Sequence, residues 1–253
     1  MNPVKPASLL TQSARSFVYV EKSSPASSHL IYLTYGVYEL EGPAASGALS
    51  HAGEEALLFN LKGKVTVEIA GKVHELSRYD VLYVPRSTVY HLRQGEGQGR
   101  VVVCRAPATG DHPVYYASWE KLSRDETRIR HLKGKDVFLM FDVSEGADKL
   151  IAGFTLFEPR QRSWPPHNHT DQEEIYIFTK GSGAMAVYRD DESMSFVHSV
   201  REGDAVTIPF LNYHPVFSQE EELHFIWCIA GNRYWVGDKN KDFMAGKGDK
   251  LTT

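Results

Sequence analysis

Apolar positions along this chain recur at every second residue or in unbroken runs of four to eight, and seldom at the three- and four-residue spacing of a helix. The segment KVTVEIAG (64–71) alternates cleanly, as a strand with one face in a core does. HLIYLTYGVYEL (29–40), ALLFNL (56–61), VLYV (81–84), RVVVC (100–104), VFLMFDV (137–143), LIAGFTLFEP (150–159), IYIF (175–178) and HFIWCIAG (224–231) are rich in β-branched and aromatic residues and predict buried strands. Turn formers separate them, among them EGPAASGALS (41–50), Gly63 and Tyr79-Asp80. Short strands at such intervals indicate an antiparallel sandwich or barrel rather than alternating β-α units. The stretch from Trp119 to Lys133 is the one helical candidate.

The pattern occurs twice. Glu54-Glu55, ALLFNLKG, then Asp80, VLYV, Pro85 and His91 track Glu173-Glu174, IYIFTKG, then Asp204, AVTI, Pro209 and His214, with the Asp five residues before the Pro in both copies. Two copies of one barrel follow. The expected division is an irregular N-terminal arm (1–28), a first barrel (29–120), a linker (121–136), a second barrel (137–236) and a polar tail (237–253).

Chemistry concentrates in the second copy, in WPPHNHTDQEEIYIFTKG (164–181). His167 and His169 are two apart, so an extended backbone turns both imidazoles to one face, and Glu174 opens the following strand. His214 arrives from the later segment VREGDAVTIPFLNYHP (200–215). Three imidazoles and a carboxylate are N and O ligands for one divalent first-row ion, zinc, manganese, iron or nickel, with positions left for water or substrate. The first copy has Leu49-Ser50-His51 at the place of His-x-His, so it reads as structural, with His51 and His91 as hydrogen-bonded polar groups.

Composition narrows the setting. A net charge of −4 over 253 residues offers no general nucleic-acid surface, so an anionic ligand must be held locally. No apolar run approaches the roughly 18 residues of a membrane span, and the N-terminus has no signal-peptide core. Cytoplasmic residence is the expectation. Cys104 and Cys228 each lie in an apolar strand-like run and read as two buried thiols rather than a disulfide.

The spacing His-x-His, four residues, Glu, six residues, Gly, followed by Gly, five residues, Pro and a His five beyond it, resembles the paired motifs of the cupin superfamily. That resemblance implies an all-β protein of two tandem cupin barrels (double-stranded β-helix, jelly-roll-like), the first degenerate, the second holding metal through His167, His169, Glu174 and His214. The pattern would place Gly at Leu211 and Asn at Ser218, so the second motif departs there. WPPHNHTD, EEIYIF, VREGDAVTIP, NYHPV and AGNRYW further resemble the 5-deoxy-glucuronate isomerases of inositol catabolism, and HFIWCIAGN the 4-deoxy-hexulose-uronate ketol-isomerases of pectin breakdown. The resemblance implies a metal-dependent aldose-ketose isomerisation of a deoxy-hexuronate, with 5-deoxy-glucuronate the first choice. A cupin oxygenase and a non-catalytic sugar-binding cupin are the rival readings.

Isomerisation needs a proton carrier, for which His224, Tyr176 and Glu173 are the candidates; alternation puts Tyr176 on the ligand face with Glu174 and Glu173 on the other. A substrate carboxylate needs a cation, for which Arg233 comes first and Arg162 and Lys180 follow, with Tyr213 beside His214 as a pocket residue. A homo-oligomer paired through strand edges is the expected assembly.

Overall fold

A computed structural model describes residues 16–163, 166–188 and 193–234. The alternating segments form strands as expected, and the two halves repeat one arrangement. In the first, a six-stranded antiparallel sheet runs in the order Ser16–Ser23, Thr34–Glu41, Gln98–Pro107, Glu54–Lys62, Val81–Val84, Tyr115–Ala117, faced by a smaller sheet of Ala44–Ala45, Tyr90–Gln94, Val65–Ile69 and Lys72–Leu76. In the second, the order is Ile129–Leu132, Lys135–Phe141, Leu150–Phe157, Leu223–Gly231, Gln172–Lys180, Ala205–Ile208, faced by Met194–Arg201, Ser182–Tyr188 and Val216–Ser218.

Boundaries differ from the expected ones in three places. Residues 16–23, expected in the irregular arm, form a strand paired along Thr34–Glu41. The region expected as linker already contains a strand, Ile129–Leu132, and the start of the next, because His131 and Asp136 sit opposite each other in a hairpin turning at Gly134, whose φ is +70°. The helical candidate is reduced to one turn, Trp119–Leu122, and a 3-10 turn, Glu126–Arg128. The tail lies outside the described residues from 235 onward.

Alternation divides the apolar side chains among three cores. One fills the first barrel, around Tyr38, Leu58, Val67, Leu82, Tyr90 and Val103. Another fills the second, around Val137, Leu139, Tyr176, Phe178, Phe225 and Trp227. The third lies between the barrels, where the large sheets pack face to face through Leu57, Phe59, Tyr83 and Cys104 from one side and Phe138, Phe154, Ile175, Ile226 and Cys228 from the other. The two cysteines are free and both are buried in this seam.

Two glutamates fasten the seam reciprocally. Glu173 accepts the backbone N–H groups of Ile31, Tyr32 (both 2.6 Å) and Leu33 from the first half. Glu55 accepts those of Asp148 (2.8 Å), Lys149 (2.7 Å) and Leu150 (2.9 Å) from the second, together with the Tyr83 hydroxyl. The two are equivalent positions: Phe59 pairs with Val81 just after Asp80, and Ile177 with Ala205 just after Asp204, four residues beyond Glu55 and Glu173 respectively. By the same register Ala56, and not Glu55 as the repeat in the sequence suggests, stands where the second barrel has Glu174. The first barrel therefore lacks the carboxylate ligand as well as the His-x-His pair.

Candidate metal centre and its cavity

The strand Gln172–Lys180 carries Glu174 and Tyr176 on its inward face, and the preceding extended segment brings His167 and His169 over the same end of the second barrel. The loop bearing His214 is stitched to that segment by backbone hydrogen bonds from Leu211 N–H to the His169 carbonyl (2.7 Å) and from His214 N–H to the His167 carbonyl (3.3 Å). Imidazole nitrogens of His167, His169 and His214 consequently lie within 4.8 Å of one another. Glu174 Oε2 is 3.2 Å from His169 Nε2 and 3.1 Å from His214 Nε2. All four residues expected as ligands meet at one point.

The protonation of that cluster follows from its hydrogen bonds. His214 Nδ1 faces the backbone carbonyl of Asn212 at 2.8 Å, so Nδ1 carries the proton and Nε2 a lone pair. His169 Nδ1 faces Gln172 Oε1 at 2.9 Å, and the Gln172 amide is fixed in that orientation because its Nε2 donates to the carbonyls of Asn232 (2.5 Å) and Tyr234 (3.0 Å). Two nitrogen lone pairs and a carboxylate oxygen thus converge, buried and without a hydrogen-bond donor for any of the three. Such an arrangement is repulsive and desolvated on its own account. A divalent cation with bonds of about 2.0–2.2 Å resolves it, since donors around such an ion sit at the separations seen here. The residues fit a metal.

Burial, reinforced by the neighbouring imidazoles and Lys135, holds the His167 imidazole neutral, well below its ordinary value. Burial pushes the Glu174 carboxyl upward, and hydrogen bonds from His169 and His214 bring it below its ordinary value only where a proton sits on their Nε2 atoms, the place a cation would take. Substituting Gln172 by Leu removes the acceptor that fixes the His169 tautomer; by the usual effect of such outer partners, metal affinity is expected to fall about 10- to 100-fold, measured by competition with a chelating dye.

Both departures from the cupin pattern leave its geometry standing. Leu211 adopts φ +63°, the left-handed conformation that Gly takes readily, and is half exposed at 52%. Ser218 hydroxyl donates to the Glu158 carbonyl (2.6 Å) and accepts from Gln161 N–H (2.8 Å), closing the turn expected of Asn. Because a left-handed leucine is strained and this one packs little, Leu211→Gly is expected to keep its metal and gain up to about 1 kcal/mol in denaturant unfolding.

A small cavity of about 60 Å³ opens over this cluster. Its walls are Leu132, Val137, Phe157, Phe225 and Trp227, with Tyr176 at the ligand side. The Tyr176 ring stands edge-on to His214 (centroids 5.6 Å apart), and burial followed by the charge of Glu174 keeps its phenol protonated well above the ordinary range. One cation lines this cavity among the described residues: Lys135, which the sequence reading left in the linker. Its signal was phase, since Lys135, Val137 and Leu139 alternate onto one inward face.

Other expected site residues are placed elsewhere. Glu173 is on the opposite face of its strand from Glu174, engaged with the first half. His224 faces the seam, against Phe154 and Glu222, because its strand neighbours Phe225 and Trp227 take the cavity side. Arg233 donates to the carbonyls of Asp142 (2.5 Å), Glu145 (2.7 Å), Ala147 (3.3 Å) and Leu150 (3.0 Å), tying down a loop rather than facing the cavity. Lys180 is exposed and paired with Glu222 at 2.7 Å. Arg162 is exposed and forms a backbone bridge with Phe217; Tyr213 bridges to Tyr188; neither lines the cavity.

In the first barrel the equivalent space is filled. The Tyr90 hydroxyl lies 2.8 Å from both the Tyr38 hydroxyl and His51 Nε2, while burial and then the charge of Arg105 push the His51 imidazole down to about 4. A second cluster of Glu55, His112 and Asp148 is likewise saturated: Asp148 accepts from Thr109, Gly110 and His112.

A model of the KduI/IolB family matches residues 7–245. The chain belongs to that family. This KduI/IolB protein is 29% identical over 215 residues to a 5-deoxy-glucuronate isomerase of Geobacillus kaustophilus, covering 75% of this chain and 76% of that one. It is 26% identical over 253 residues to a 4-deoxy-L-threo-5-hexosulose-uronate ketol-isomerase of Cereibacter sphaeroides, covering 92% and 91%. Among solved structures, an IolB-like protein from Salmonella typhimurium LT2 superposes with a TM-score of 0.72 at 21% identity over 89% of this chain and 92% of that one. Oxalate decarboxylase from Lactobacillus farciminis gives 0.72 at 12%, over 88% and 83%. These likenesses establish the two-barrel cupin fold of the KduI/IolB protein. None of its described helices is long and apolar enough to cross a membrane.

Proposed function

We propose that this KduI/IolB protein is a metal-dependent aldose-ketose isomerase of a deoxy-hexuronate, with 5-deoxy-glucuronate as substrate and the 4-deoxy-5-keto-uronate of pectin breakdown as the alternative. The observation that carries the reading is the convergence of His169 Nε2, His214 Nε2 and the Glu174 carboxylate beside a cavity, in a chain whose relatives are named for these two reactions.

His167, His169, Glu174 and His214 would hold the ion, which supplies Lewis acidity toward a substrate carbonyl and the adjacent hydroxyl. Gln172 and the Asn212 carbonyl keep two of the imidazoles in the tautomer that presents a lone pair inward. Tyr176, a protonated phenol at the ligand side of the cavity, is positioned to donate a hydrogen bond to substrate oxygen but not to serve as a base at neutral pH. Phe157, Phe225 and Trp227 exclude water from the reacting carbons, which protects an electron-rich intermediate from stray protonation.

The test is incubation of metal-saturated protein with each uronate in D₂O, following carbonyl migration by proton NMR. Migration with deuterium entering the former carbonyl carbon supports proton transfer; substrate loss coupled to oxygen uptake replaces the isomerase reading with an oxygenase.

A further inference from the structure

Lys135 presents an anomaly that the metal centre does not absorb. It begins the strand Lys135–Phe141 on the inward face and lines the cavity together with His167, His169, Glu174 and Tyr176. An ammonium in such surroundings is strongly disfavoured unless a counter-charge meets it. Among the described residues it meets only the Ser163 hydroxyl at 3.3 Å and the face of the Phe157 ring, 5.1 Å from the centroid. No carboxylate lies within ion-pair distance of its Nζ among the described residues, and the negative charge of Glu174 is already committed to the metal cluster. The other cations offered by the sequence are engaged or outside: Arg233 by four carbonyls, Lys180 by Glu222, Arg162 exposed.

We propose that Lys135 is the residue that selects for an acid substrate, its ammonium pairing with the carboxylate of the hexuronate while the carbonyl end of the same molecule faces the metal ligands across the cavity. This rests on the isomerase reading above and names the specificity determinant of that site. The geometry asks for such a partner. Beyond His167, His169 and Glu174 the cavity walls are mostly apolar, so a carboxylate entering it meets one ammonium there, in partly buried surroundings where a charge-assisted hydrogen bond is stronger than in open water. Ser163 and Phe157 hold the ammonium in place without neutralising it, so its positive charge remains available. Burial lowers Lys135 to about 8, with Glu174 opposing, so it stays mainly protonated at neutral pH. A bound carboxylate restores what burial removes.

The test compares 5-deoxy-glucuronate with its uncharged C6 amide, using metal-saturated wild type, Lys135→Met and Lys135→Arg. Binding is measured by calorimetry and turnover by NMR. Wild type is expected to favour the acid; Lys135→Met is expected to weaken acid binding by about 30-fold or more while leaving amide binding within about threefold, and Lys135→Arg to recover part of the preference. Metal content of Lys135→Met should match wild type, and its melting temperature should be no lower, because the substitution removes a desolvated charge. Wild type that binds acid and amide alike, or Lys135→Met that keeps the wild-type preference, overturns the assignment. Wild type that prefers the acid through Lys135 yet forms no ketose supports the assignment and overturns the isomerase reading.

Discussion

Glu174→Gln is expected to lose its bound metal on dialysis and to isomerise at least about a thousandfold more slowly than wild type. Glu174 is the only charged member of the cluster; its replacement leaves three neutral imidazoles and an amide to hold a dication. The Lewis acidity lost is worth several kcal/mol at the transition state, and each 1.36 kcal/mol is a factor of ten. The substitution has an opposite effect on the metal-free protein. There, Glu174 Oε2 sits 3.1 and 3.2 Å from two nitrogens that are also acceptors. A glutamine amide donates to one of them, so metal-free Glu174→Gln should melt at a higher temperature than metal-free wild type. Elemental analysis, rate and calorimetric melting together check the claim; full metal occupancy in the variant with a rate within tenfold of wild type would refute it.

Glu173→Ala, one residue away, is expected to do the reverse: keep its metal and lose stability. It strips the acceptor from the N–H groups of Ile31, Tyr32 and Leu33 at a buried junction. At about 1–3 kcal/mol for each of three donors left unsatisfied, the loss is of the order of 3–9 kcal/mol, a large part of the stability of an ordinary domain. For a chain of this size, that lowers the melting temperature by roughly 10 °C or more. Turnover per folded molecule at 20 °C should stay within about threefold. A variant that melts like wild type but has lost its turnover would place Glu173 in the chemistry after all.

The convergence of His167, His169, Glu174 and His214 was legible because it obeys a local rule. His167 and His169 are separated by the period of a strand, Glu174 opens the next strand, and the repeat located His214. Tyr176 was legible for the same reason. Glu173 was not, because its partners are backbone groups some 140 residues earlier, which no side-chain pattern marks. His224 and Arg233 failed as site residues for a related cause: their chemistry suits the task, but a strand has two faces and the sequence did not say which was the seam. Lys135 escaped because the hairpin Ile129–Phe141 begins with charged residues and read as linker, although its phase with Val137 and Leu139 was visible in KDVFLMF. At Leu211 the letter departed from the motif while the backbone kept to it, so a comparison of letters overstated the difference.

The sheet-to-sheet seam means that the half without metal ligands is not dispensable. Were the first 120 residues deleted, Phe138, Phe154, Ile175 and Ile226 would become an apolar slab facing water, beside a glutamate with nothing to grip. The second barrel would then be expected to clump with its own kind, so the first barrel serves the fold as the cover of that slab.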